Sequence, residues 1–161
     1  MPPHLGHVHL KVRDVDRAVE FYTDLLGLSI TERHANFAFL SFGEHHHDLA
    51  LQGLGGASAS ASAGTSAADR GGDGDASGRS RVGLYHTAFE VESPAELRAV
   101  FDRLIEREVR VSPVDHRISK ALYFDDPDGN GVEVYLDTRA ETGQDDWHGE
   151  NRRFDPATLG V

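Results

Sequence analysis

A chain of 161 residues, 39% of them hydrophobic, suffices for one core or two small halves sharing one, but not for two independent domains. With 27 acidic against 16 basic residues and a formal charge of −11, a phosphate-tracking nucleic-acid binder and an adhesin for anionic lipid are excluded. Cysteine is absent, so there is no disulfide framework, thiolate nucleophile or Cys-ligated zinc, and any metal must rest on carboxylates and the ten histidines. No apolar run approaches the roughly 18 residues of a membrane span, and residues 1–6 lack the charged and apolar regions of a secretion signal. These features predict a soluble, cytoplasmic protein whose partners are small molecules, with no nucleic acid and no membrane.

Taken in chain order, His7-Val8-His9-Leu10-Lys11-Val12 alternates as a half-buried strand does. Asp14 is placed to cap a helix whose apolar stripe is Val15, Ala18, Val19, Tyr22, Leu25 and Leu26, ending at Gly27. Strands follow near 28–33, 36–41 and 48–52. In the stretch 53–81, 21 of the 29 residues are Gly, Ala or Ser, which predicts a flexible connector. The strand pattern then returns 79 positions later as Tyr85-His86-Thr87-Ala88-Phe89-Glu90-Val91. Ser93-Pro94-Ala95-Glu96 combines a capping box with proline at the first helical position, ahead of the stripe Leu97, Val100, Phe101, Leu104 and Ile105. Strands near 109–112, 121–124 and 132–137 complete the second half, the last two joined by the turn-rich run 126–131. A polar tail, 138–161, follows.

The pattern therefore predicts an α+β fold in one domain, with βαβββ modules at 4–52 and 82–137. Neither half can cover its own sheet, so the two are expected to pair as one curved, mostly antiparallel eight-stranded sheet with helices outside and a concave interior. Period-two alternation then assigns faces. Val8, Leu10 and Val12 point to the helix, leaving His7, His9 and Lys11 on the concave side. By the same count His86 faces inward with Ala88 and Glu90, and Glu133 with Gly131 and Tyr135. Two imidazoles and one carboxylate on rigid strands suit a divalent first-row metal and leave coordination positions open. His7 and His86 moreover occupy equivalent places in the two repeats.

His7-Val8-His9-Leu10-Lys11-Val12-Arg13-Asp14, Phe21-Tyr22, Leu25-Leu26-Gly27-Leu28, Gly83-Leu84-Tyr85-His86-Thr87-Ala88 and the run from Ala121 through Asp126-Pro127-Asp128-Gly129-Asn130-Gly131-Val132-Glu133 resemble the vicinal oxygen chelate superfamily. That superfamily contains glyoxalase I, fosfomycin-resistance thiol transferases, bleomycin-binding proteins and extradiol dioxygenases. The resemblance implies the paired βαβββ fold and a metal held by His7, His86 and Glu133. Aligning the repeats sets Ala50 opposite Glu133, where glyoxalase I has a further ligand. His47-Asp48-Leu49-Ala50-Leu51 is similar to the segment that carries the acid/base histidine of extradiol dioxygenases. The stretch from Asp115 to Tyr123 resembles their loop with an outer His and a substrate-contacting Tyr, here His116 and Tyr123. Gly83-Leu84-Tyr85-His86 and the run through Gly131-Val132-Glu133 look closest to catechol 2,3-dioxygenases of the CatE type; many extradiol dioxygenases carry two paired modules where this chain has one pair. The resemblance implies Fe(II), with Mn(II), Zn(II) and Ni(II) as alternatives, and a catecholic substrate with O2. A homodimer stays open. Strict alternation counted back from Ala50 instead turns His46 and Asp48 inward, so the choice of His47 rests on the resemblance. A glyoxalase-like isomerase or thiol transferase on the same metal, or a metal-free protein that sequesters an aromatic ligand, are the competing readings.

Overall fold

The structure, a computed structural model, describes residues 5–54 and 84–160. Most of the expected connector, residues 55–81, lies outside the described residues. The described chain gathers into two units, one of residues 5–54 with 126–128, the other of 84–125 with 129–160.

In the first unit, β1 (Val8–Val12) leads into α1 (Val15–Leu26), followed by β2 (Ser29–His34), β3 (Phe37–Ser41) and β4 (Leu49–Gly53). The sheet order is β1-β4-β3-β2, with β1 parallel to β4 and the other pairs antiparallel. The Asp14 side chain accepts from the Arg17 amide at 3.1 Å, satisfying one orphan donor of α1, and Gly27 ends the helix in the left-handed region at φ 74°. Ala18, Val19, Phe21, Tyr22 and Leu25 of α1 are buried, as are Leu10, Val12, Ala38, Leu40, Leu49 and Leu51 of the strands. Phe21 adds to the predicted stripe, while Val15 and Leu26 are half-buried at its edges. Each large buried side chain contributes about 1.5–3 kcal/mol on leaving water. The β2 strand is exposed throughout, and its charged residues, Glu32 and Arg33, suit an unpaired edge.

A buried polar contact closes this unit. The Tyr22 hydroxyl donates to the buried carboxylate of Asp126 at 3.0 Å. Asp126 also accepts from the Asp128 amide at 2.9 Å, and Arg13 and Arg17 both pair with Asp128. Burial first, then the Asp126 charge, raises the Tyr22 pKa well above its ordinary value. Removing the hydroxyl in Tyr22→Phe leaves a buried carboxylate short of a donor, and a loss of about 1–3 kcal/mol in unfolding free energy is expected by urea titration. A tyrosine whose ionisation is suppressed by folding stabilises fully below its unfolded pKa, about 10, and loses that contribution as pH rises beyond it. The urea midpoint should therefore fall as pH rises above about 10, less steeply in Tyr22→Phe than in the parent protein.

In the second unit, β5 (Thr87–Val91), α2 (Pro94–Glu106), β6 (Ser112–Asp115), β7 (Ser119–Asp125) and β8 (Gly131–Asp137) repeat the scheme. The predicted capping box forms: Ser93 Oγ accepts from the Glu96 amide at 3.2 Å and the Glu96 carboxylate from the Ser93 amide at 3.0 Å. Leu97, Val100 and Leu104 are buried, whereas Ile105, expected in the stripe, is 53% exposed. After α2, the helix end winds on through Glu108 at φ 55°, and Val109 N–H donates to Leu104 O at 2.9 Å. This ending consumes the β-branched residues expected to open a strand near 109, and β6 begins only at Ser112. Pro113 is accommodated because β9 pairs with β6 only at Val114 and Asp115.

The tail is structured. A short α3 (Arg139–Thr142) precedes β9 (Arg152–Arg153), which joins β6 as the outermost strand in the order β5-β8-β7-β6-β9. A 3-10 turn, Pro156–Thr158, then packs on α2, where Arg98 donates to Ala157 O at 2.5 Å and Leu159 is buried. The eight expected strands are thus all present in two mostly antiparallel βαβββ modules. Their backbone ladders close within each module, giving sheets of four and five strands. No helix among the described residues is long and apolar enough to cross a membrane.

Candidate metal centre and active site

In β1 and β8 the buried residues alternate onto one face and leave the predicted site residues of those strands on the other, whereas in β4 Leu49, Ala50 and Leu51 are all buried. In β1, Leu10 and Val12 are buried while His9 and Lys11 are exposed. In β8, Val132, Val134 and Leu136 are buried while Glu133 and Tyr135 are half-buried on the opposite side. Strand register agrees with the repeat alignment. His9 stands opposite Ala50 in the first unit, and Ala88 opposite Glu133 in the second. One module therefore carries a methyl group where the other carries a carboxylate.

The second unit brings four predicted residues into one hydrogen-bonded chain. His86, on the approach to β5, sets Nε2 2.9 Å from Glu133 Oε2, with the two side chains 24% and 12% exposed. The other oxygen, Oε1, accepts from the Tyr123 hydroxyl at 2.8 Å, and His116 Nε2 lies 3.0 Å from the same hydroxyl oxygen. Tyr123 reaches Glu133 because the β7–β8 register sets the two directly opposite each other. Burial, followed by the Glu133 charge, pushes the Tyr123 pKa far up, so this hydroxyl is a donor rather than a source of phenolate. His116 sits in the turn between β6 and β7, closed by its own amide to Ser119 O at 2.8 Å and by Asp115 accepting from the Arg117 amide at 2.7 Å. Arg117 holds φ 72° there, a left-handed backbone uncommon outside glycine.

The first unit gathers a different group. The rings of His7 and His47 are 4.4 Å apart, and His47 also meets Phe39 at 5.0 Å. His46 shares an Nδ1 to Nδ1 contact of 2.9 Å with His47, but its Nε2 turns to the exposed Glu32 carboxylate at 3.3 Å. Asp48 serves the preceding loop, accepting from the Phe42 amide at 2.8 Å and from Ser41 Oγ at 3.2 Å. Strand β4 begins only at Leu49, so residues 45–47 lie in a bend where alternation no longer governs direction. Partial burial, then the neighbouring imidazoles His7 and His46, lower the His47 pKa below the ordinary histidine value. Neutral at physiological pH, this imidazole can accept a proton.

Phe37 and Phe39 belong to this face as well, with stacked rings 6.5 Å apart and His9 6.1 Å from Phe37. Sequence reasoning missed them, although the alternation Phe37-Ala38-Phe39-Leu40 carries the signal, since Ala38 and Leu40 are the buried partners. It also missed Asn151 and Tyr85. Tyr85 places its ring 5.1 Å from His86.

No three His, Asp or Glu side chains among the described residues stand together as a cluster that could hold a metal ion. The His86–Glu133 pair nevertheless fits two adjacent ligands. Its Nε2 and Oε2, 2.9 Å apart, are an imidazole nitrogen and a carboxylate oxygen that could be shared by one divalent ion in place of a proton. Glu133 also keeps an orienting partner on the oxygen that faces away from His86, as metal-ligating carboxylates do. Tyr123→Phe removes that partner, and a metal affinity about 10–100-fold weaker is expected by competition with a chromophoric chelator.

Residues 4–134 match the model of the Glyoxalase/Bleomycin resistance protein/Dioxygenase superfamily, and the chain is a member of it. It is 31% identical over 146 residues to a catechol-2,3-dioxygenase of Bacillus subtilis (strain 168), covering 91% of this chain and 46% of that one. It is 32% identical over 157 residues to biphenyl-2,3-diol 1,2-dioxygenase 3 of Rhodococcus globerulus, covering 95% and 74%. The chain thus spans about half the length of the first of these relatives and three quarters of the second. Among solved structures, a glyoxylase/bleomycin resistance protein/dioxygenase domain from Frankia sp. EAN1pec shares the fold with a TM-score of 0.64 at 24% identity, covering 85% of this chain and 93% of that one.

Proposed function

We propose that the protein is an extradiol ring-cleavage dioxygenase that takes a small catecholic substrate and O2, with Fe(II) held by His7, His86 and Glu133. The observation that carries this reading is the His86–Glu133–Tyr123–His116 chain, which joins two of the three proposed ligands to both residues proposed to attend the substrate. The relatives named as catechol and biphenyl-diol dioxygenases support the same chemistry. His7 completes the set as the first-module counterpart of His86. Ala50, at the place equivalent to Glu133, offers no further ligand of the glyoxalase I kind.

When bound, the divalent metal supplies charge that favours the ionised catechol and open positions for its two vicinal oxygens and for O2. The chain's own residues do the rest. His47 takes a proton from a catechol hydroxyl and returns it later in the reaction, a role suited to an imidazole that is neutral at physiological pH. Tyr123 presents a hydroxyl that orients the ring and stabilises negative charge developing on oxygen, and His116, 3.0 Å from that hydroxyl, holds it in place.

The test is oxygen uptake by the iron-loaded, anaerobically prepared protein over a panel of catechols, with the coloured ring-opened product followed by absorbance. Oxygen consumption stoichiometric with product supports the reading. Failure with every catechol, together with isomerisation of a glutathione hemithioacetal, would replace it with a glyoxalase-like activity. Tight binding of an aromatic compound by metal-free protein, with no turnover in either assay, would replace it with sequestration.

A further inference from the structure

The geometry points to Asn151 as a positioning residue that selects the tautomer of His116. The sequence singled out His116 and Tyr123 but not Asn151. In the second unit the tail returns as β9, and its register on β6 sets Arg152 opposite Asp115 and Arg153 opposite Val114. Asn151 is thereby delivered beside His116, and its Oδ1 lies 2.7 Å from His116 Nδ1. The Trp147 ring approaches His116 edge-on at 6.4 Å, while its Nε1–H donates to Glu150 O at 2.9 Å and keeps the tail segment folded.

An amide oxygen only accepts, so the Nδ1 facing it carries the proton, and in the neutral ring Nε2 is left with its lone pair toward Tyr123. In water the other tautomer, protonated at Nε2, prevails. Asn151 therefore holds His116 in the form that a free histidine side chain disfavours. The Tyr123 hydroxyl then has two acceptors for its one proton, Glu133 Oε1 at 2.8 Å and His116 Nε2 at 3.0 Å. His116 Nε2 can thus accept a hydrogen bond from that hydroxyl, which the opposite tautomer cannot do. The tautomer stands on geometry alone, while its consequence for turnover rests on the dioxygenase reading above.

The experiment is long-range 1H–15N correlation on the metal-free, full-length chain at about pH 8, where unperturbed imidazoles are neutral. The His116 signals should show a protonated Nδ1 and a bare Nε2. Asn151→Leu should convert them to the Nε2–H pattern or an average of the two, whereas Asn151→Asp, which still accepts, should restore Nδ1–H. Wild-type protein with Nε2–H, or an Asn151→Leu spectrum unchanged at His116, overturns the assignment whether or not the protein cleaves catechols. In the iron-loaded enzyme, Asn151→Leu should lower kcat by about 10–100-fold with KM and metal content retained, and Asn151→Asp should recover most of it. An unaltered kcat in Asn151→Leu beside a shifted tautomer would remove Asn151 from the reaction.

Discussion

Glu133→Ala is expected to leave purification without stoichiometric metal and with ring-cleavage activity at background. Glu133 is the only anionic member of the proposed ligand set, so the loss should exceed the about 10–100-fold in affinity that follows removal of an outer partner such as the Tyr123 hydroxyl. The fold should survive. Glu133 is half-buried on the face opposite Val132, Val134 and Leu136, which pack the core of its unit. Metal content by elemental analysis and the melting temperature, measured together, separate loss of a ligand from loss of structure. Glu133→Gln, which keeps the shape and the Tyr123 contact but removes the charge, should also bind metal poorly. Stoichiometric metal at unchanged affinity in Glu133→Ala would show that the carboxylate is not a ligand.

The second large effect is expected at His47. A positioned acid or base contributes about 10²–10⁴-fold, so His47→Phe should retain metal and bind catechol while kcat falls within that range. His46→Phe is the matched control. Its ring shares the Nδ1 contact with His47 but turns Nε2 to the exposed Glu32, and its removal should cost far less. Equal losses in both would mean that the bend before β4 had been disturbed as a whole. A loss confined to His46→Phe would reassign the proton transfer to that residue. Single-turnover kinetics under limiting O2 would tell whether the step lost precedes or follows oxygen consumption.

How much of the site could be read from the chain follows from the reach of each signal. His86 and Glu133 were legible because each lies in or beside an alternating strand, where one buried face fixes the direction of every other side chain. The pairing of Tyr123 with Glu133 depends on the register of β7 against β8, which alternation alone does not determine. His47 and His46 lie where no periodicity operates, and only the folded loop, with Asp48 drawn to the Phe42 amide and Ser41, shows which imidazole turns to His7. Asn151 gave no signal, because its place is created by two residues of strand pairing between distant parts of the chain, Val114 with Arg153 and Asp115 with Arg152.

The sequence by itself determined the two βαβββ modules, the capped helices and the faces of the first and last strands. These depend on interactions within one turn or one pleat, and the residues that make them are neighbours in the chain. Only the tertiary structure decided where β6 begins, that the polar tail closes the second sheet, and which side chains meet Tyr123 and His47. The valines at 109 and 111 favour a strand, yet the helix end takes up the backbone of Val109, whose amide donates to Leu104 O. The tail has almost no alternation to read, and becomes a strand because the free edge of β6 offers unpaired backbone groups that a distant segment can satisfy.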